Sequence, residues 1–172
     1  VSRDSNLDLI AFVEGELKAI GITSVLVHSE DGKKANLWAT IGPADASGVA
    51  LSAHTDVVPV EGQNWSSDPF AMKVRGGNLY GRGSADMKGF IASCLNLAQM
   101  AVKRKLHTPI HLAFSYDEEI GCIGVRRMLD MLKTMPVRPR LCIVGEPTML
   151  QVVTSHTGKF GYRWTEHGLE AH

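Results

Sequence analysis

Apolar positions recur along this chain with two different periods, and the switches between them outline the fold. Leu9, Phe12, Val13, Leu17 and Ile20 fall at helical spacing and Gly21 follows as a stop, so residues 6 to 20 predict an amphipathic helix. Three short strand-like runs come next, Ser24 to His28, Ala35 to Ile41 and Val49 to Ala53, divided by the turn signals Asp31-Gly32 and Gly42-Pro43. Between Trp65 and Gly83 the chain is punctuated by glycine and proline, and Ala71 to Tyr80 predicts a hairpin turning at Gly76-Gly77-Asn78. A long helix is predicted from Lys88 to Leu106, a strand from Ile110 to Ser115, a helix from Ile123 to Lys133 and a strand from Leu141 to Val144, the last two joined through Pro136 and Pro139. This alternation predicts an α/β fold with a helix-covered, largely parallel mixed sheet. Beyond Pro147, Gln151 to Thr154 and Lys159 to Thr165 read as extended segments.

Three of the predicted strands end in imidazole or acid. Val49 to Ala53 runs into His54-Thr55-Asp56, Ile110 to Ser115 into Asp117-Glu118-Glu119, and Leu141 to Val144 into Gly145-Glu146-Pro147. Open α/β sheets keep their sites at those carboxyl ends. In an extended segment, residues two apart face the same way, so Asp56 can hold the His54 nitrogen that a metal does not take. Each signal has a plainer reading. Asp56 can satisfy a turn, Asp86 in Gly83-Ser84-Ala85-Asp86 can cap the long helix, Glu118 and Glu119 can complement a helix dipole, and Glu146 can be a solvated turn carboxylate. Together, one histidine and several carboxylates on four loops of one sheet edge supply the donors that suit zinc or a similar divalent ion. With no close histidine pair or cysteine cluster, an open two-metal hydrolytic centre fits better than a closed structural zinc site.

Length and composition narrow the rest. At 172 residues the chain holds one domain, or one domain and the start of another. Eighteen basic and eighteen acidic side chains cancel, which argues against nucleic acid or an anionic membrane as partner and for a small molecule. Cys94, Cys122 and Cys142 are odd in number and far apart, so no disulfide framework is expected and a reducing cytoplasm is. The start at Val1-Ser-Arg-Asp carries no basic-then-apolar leader, and Ser93, Asn96 and Gln99 break the most apolar helix. The Gly81 to Gly89 turn matches neither glycine-rich nucleotide pattern.

The ordered motifs His54-Thr-Asp56-Val-Val-Pro59, Trp65 with Asp68-Pro69-Phe70, Leu79-Tyr-Gly-Arg-Gly with Ala85-Asp86-Met87-Lys88-Gly89, Asp117-Glu118-Glu119 and Gly145-Glu146-Pro147-Thr148 carry a resemblance over nearly the whole chain. They resemble the dinuclear zinc exopeptidase and deacylase family, which includes acetylornithine deacetylase, succinyl-diaminopimelate desuccinylase, aminoacylase and carboxypeptidase G-type enzymes. The resemblance implies two Zn2+, with Co2+ as a substitute: His54 and Glu146 on one ion, Glu119 on the other and Asp86 between them. It implies Asp56 as the group that orients His54, Glu118 as the general base, and a cis peptide after Asp86. Arg138 to Gln151 and Ala85 to Phe90 are most similar to the acetylornithine deacetylase branch, implying hydrolysis of N-acetyl-L-ornithine to ornithine and acetate, with succinyl-diaminopimelate or another N-acyl amino acid as the alternative.

Two departures stand out. Where that branch commonly has His-Lys-Gly, this chain reads His156-Thr157-Gly158-Lys159. The family's late metal-binding histidine has no counterpart, which leaves the second ion one protein ligand short; His172 instead matches a lid histidine that reaches substrate across a dimer. The resemblance therefore divides the chain into 1–162, an incomplete catalytic metal-binding domain, and 163–172, the start of a lid or dimerisation domain of a homodimer. A noncatalytic metal-binding fragment is the competing expectation.

Overall fold

In the computed structural model, which describes residues 1–155, 157–158 and 161–168, the first helix, α1 (Leu7–Ala19), buries Ile10, Val13 and Leu17. Those positions are three and four apart and share one face. Phe12, counted in the predicted stripe, points outward and is exposed. The strands β1 (Ser24–His28), β2 (Ala35–Ile41) and β3 (Val49–His54) follow, then a hairpin of β4 (Lys73–Arg75) and β5 (Asn78–Tyr80). Gly76 and Gly77 both have positive φ, 58° and 78°, the backbone that a tight two-residue hairpin turn demands.

A wide, kinked turn, Ser84–Lys88, precedes α2 (Gly89–Ala101), which stops short of the predicted Leu106. Past Ala101, Val102 is exposed and Lys103, Arg104 and Lys105 are charged, so no buried apolar side chain holds the helix on the core there. The chain then runs through β6 (Ile110–Ser115), α3 (Val125–Thr134) and β7 (Leu141–Val144).

The five long strands form one sheet in the order β1-β2-β6-β3-β7. β3 pairs in parallel with both β6 and β7, whereas β2 is antiparallel to β1 and β6. Four strands therefore point the same way and β2 alone opposes them. Side chains alternate across the sheet: Leu37, Ala39, Leu112 and Phe114 meet α1 and α2 in the main core, while Trp38, Ala50 and Ala113 meet Met128 of α3 on the other face. The crossovers through α2 and α3 thus lie on opposite faces, and the carboxyl ends of β6, β3 and β7 are left side by side.

The chain beyond Pro147 departs from expectation. Thr148 and Gln151 close a turn on each other, and neither Gln151 to Thr154 nor the described residues of Lys159 to Thr165 form a strand. An extended segment needs a neighbour to take its N–H and C=O groups, and none lies beside these among the described residues. The three cysteines are free, and no described helix is long and apolar enough to cross a membrane.

Phe114 sits on the central strand β6 and is fully buried. Phe114→Ala is expected to cost about 3–5 kcal/mol in denaturant unfolding, against about 0.5 kcal/mol or less for the exposed Phe12→Ala.

Candidate metal centre

β3 ends in His54, whose imidazole is 2% exposed. Its Nδ1 lies 2.9 Å from the backbone oxygen of Asp56 and therefore donates there, which leaves Nε2 facing the crevice. Nε2 meets Asp86 Oδ1 at 2.9 Å, and Glu118 Oε2 and Glu146 Oε1 at 3.9 Å each. Asp86 arrives from the wide turn ahead of α2, where it and Met87 leave helical geometry and the Asp86–Met87 peptide is cis. Met87 is fully buried, and its sulfur accepts the His54 backbone N–H at 3.3 Å. Glu146 follows β7 through Gly145, whose α-carbon faces the Phe90 ring so closely that a Cβ would sit 2.1 Å from it.

Asp56 does more than the sequence suggests. Its carboxylate lies 3.5 Å from His54 Nδ1, farther than its own carbonyl oxygen. Its firmer partners are the backbone N–H groups of Glu118 and Glu119, at 3.1 and 3.2 Å, and the Ser2 hydroxyl at 2.7 Å. One buried carboxylate thereby ties the end of β3 to the loop after β6. That loop begins at Asp117, in the left-handed region with φ 56°, and Cys122 returns a weak hydrogen bond from its thiol to Glu118 Oε1 at 3.4 Å. Ser2 and Cys122 belong to none of the motifs read from the sequence, and Asp117 enters there only as the acid before Glu118; its partner Lys34 lies 83 residues away and no local pattern joins the two.

The charges fit a cation. Burial works against charged Asp56, but hydrogen bonds from His54, Ser2 and the two amides hold its carboxyl far below the usual range. Burial also disfavours a charged His54, yet Asp56 and Asp86 push it up to about 9. Burial, together with the charges of Asp86 and Glu118, raises Glu119; burial with Asp86, Glu118 and Glu119 raises Glu146, in both cases against the pull of His54. Carboxylates that raise one another are relieved by a positive ion among them. Two groups have donor atoms within 4.8 Å of one another, His54 with Asp86 and Glu146, and His54 with Glu118 and Glu119. Nitrogen and carboxylate oxygen are donors that zinc and similar divalent ions take. All the candidate acids thus meet at one sheet edge around His54, whereas His172 lies outside the described residues.

Comparison with known proteins agrees with this architecture. The chain is 37% identical over 170 residues to acetylornithine deacetylase from Shigella sonnei, covering 98% of this chain and 43% of that protein. It thus spans less than half the length of that curated relative. Human carnosine dipeptidase 1 superposes with a TM-score of 0.62 at 25% identity, over 73% of this chain and 29% of the other. An M20 family metallo-carboxypeptidase, Sso-CP2 from Sulfolobus solfataricus, shares the fold with a TM-score of 0.66 at 22% identity, over 79% and 31%. The family model for peptidase family M20/M25/M40 matches residues 50–171, the span that carries every one of the converging acids, and the chain belongs to that family.

Proposed function

We propose that this chain is the greater part of the catalytic domain of a metal-dependent amidohydrolase that cleaves the amide of an N-acyl amino acid. N-acetyl-L-ornithine, giving L-ornithine and acetate in arginine biosynthesis in the cytoplasm, is the substrate we favour. The observation that carries the reading is the meeting of His54 Nε2 with oxygens of Asp86, Glu118 and Glu146 at 2.9, 3.9 and 3.9 Å. The similarity to acetylornithine deacetylase along 98% of the chain supports the substrate. In this reading residues 1–162 belong to the catalytic domain and 163–172 open a lid or dimerisation domain of a homodimer, in which His172 contacts substrate.

His54 and Glu146 would hold one Zn2+, Glu119 the other, and Asp86 both, with Co2+ a workable substitute. When bound, such ions supply Lewis-acid stabilisation to the amide oxygen and acidify a water. The chain's own groups do the rest. Asp56, through its carbonyl, keeps the His54 proton on Nδ1, so that Nε2 remains a ligand. Through its carboxylate it pins the backbone of Glu118 and Glu119. The Glu118 side chain is left partly open to solvent in the crevice, where it can take the proton of the attacking water and return it to the leaving amine nitrogen.

Succinyl-diaminopimelate and other acylated or dipeptide substrates are the alternatives within the same chemistry. They are separated by comparing kcat/KM for each compound, and a specificity constant for N-acetylornithine below the others would overturn the substrate assignment. A noncatalytic metal-binding role predicts bound ion without turnover in the intact protein.

Glu118→Gln is expected to lower kcat about 10²- to 10⁴-fold while elemental analysis finds the metal content unchanged; wild-type turnover would remove Glu118 from its role as base. His54→Ala is expected to lose metal as well as activity, measured by the same elemental analysis after dialysis. A loss of activity with full metal occupancy would contradict its role as ligand.

A further inference from the structure

Because β2 runs against its neighbours, its first residue, Ala35, lies at the edge where β3, β6 and β7 end. The turn between β1 and β2 therefore reaches the metal centre. Lys34, the last residue of that turn, places Nζ 2.5 Å from Asp117 Oδ1, with the two side chains 15% and 8% exposed. The same ammonium donates to the backbone oxygen of Ser2, whose hydroxyl is bound to Asp56. Asp117 is the left-handed residue that bends the chain out of β6, and the two amides after it are the ones aimed at Asp56. Its carbonyl also accepts Ile123 N–H, at 3.2 Å, where the loop closes.

We propose that Lys34 is a positioning residue for the metal centre, fixing through Asp117 the bend that presents Glu118 and Glu119. It touches neither ion nor substrate. A left-handed conformation is uncommon for a residue with a side chain, and an almost buried carboxylate is held in place only while its cation is present. Removing that cation frees Asp117 to rotate toward water and releases the Glu118-Glu119 segment, while the His54, Asp86 and Glu146 group rests on β3, the turn ahead of α2 and β7 and keeps its geometry.

The inference rests on the two-ion reading above, and the test separates the two. Intact metal-free protein is titrated with Co2+ and followed by its visible absorbance. Lys34→Met is expected to leave the ion held by His54, Asp86 and Glu146 within about threefold of wild type and to weaken the ion that needs Glu119 by about 10- to 100-fold. At saturating metal it should lower kcat with KM unchanged, and Lys34→Arg, which keeps the charge, should restore most of both. Should Lys34→Met fold poorly, Lys34→Met with Asp117→Asn removes both charges, leaves no unpaired ion buried, and is expected to show the same selective loss. Equal weakening of both ions, or a lower melting temperature with unchanged affinities, would make Lys34 a general prop and overturn the proposal. A wild-type protein that takes up a single ion would overturn the two-ion reading instead. Lys34 is then judged on that ion's affinity and on kcat, and falls if Lys34→Met changes neither.

Discussion

Five carboxylates, those of Asp56, Asp86, Glu118, Glu119 and Glu146, are drawn around one buried imidazole, and the chain must hold them there against their mutual repulsion. Repulsion between like charges at such distances is several kcal/mol where water is scarce, so the arrangement survives only because backbone fixes it. β3, β6 and β7 end side by side, which sets the spacing of His54, the Glu118-Glu119 pair and Glu146. Asp56 links two of these ends by accepting backbone amides rather than by facing the crevice. The fold thus bears the cost of concentrating negative charge, and the gain is affinity for a small, highly charged cation.

Much of this was legible in the sequence because the physics is local. An apolar run bounded by turn residues is a strand, and an acid or histidine directly after it sits at the strand's end. That reasoning alone places His54, Glu118, Glu119 and Glu146 at one edge. Asp86 was harder, since Gly83-Ser84-Ala85-Asp86 reads equally well as a helix cap; in the fold its backbone is not helical and its carboxylate meets His54.

What could not be read was long-range. The turn signal Asp31-Gly32 makes β1 and β2 antiparallel neighbours, but nothing local says that β6 comes between β2 and β3, or that Lys34 and Ser2 approach the acids. The extended segments expected after Pro147 failed for a related reason. Alternating side chains describe a strand only when another strand lies beside it, and a one-dimensional pattern does not record the partner.

The place of β6 in the sheet has a kinetic consequence. It inserts between two strands made long before it, pairing residue 114 with residue 37 and residue 110 with residue 49. Closing loops of that size is entropically slow, and contacts so distant in sequence are made late. Because the acid pair emerges from the end of β6, the cation cage cannot exist before the central insertion is complete. Uptake of metal during refolding would therefore report a sheet already closed at its centre.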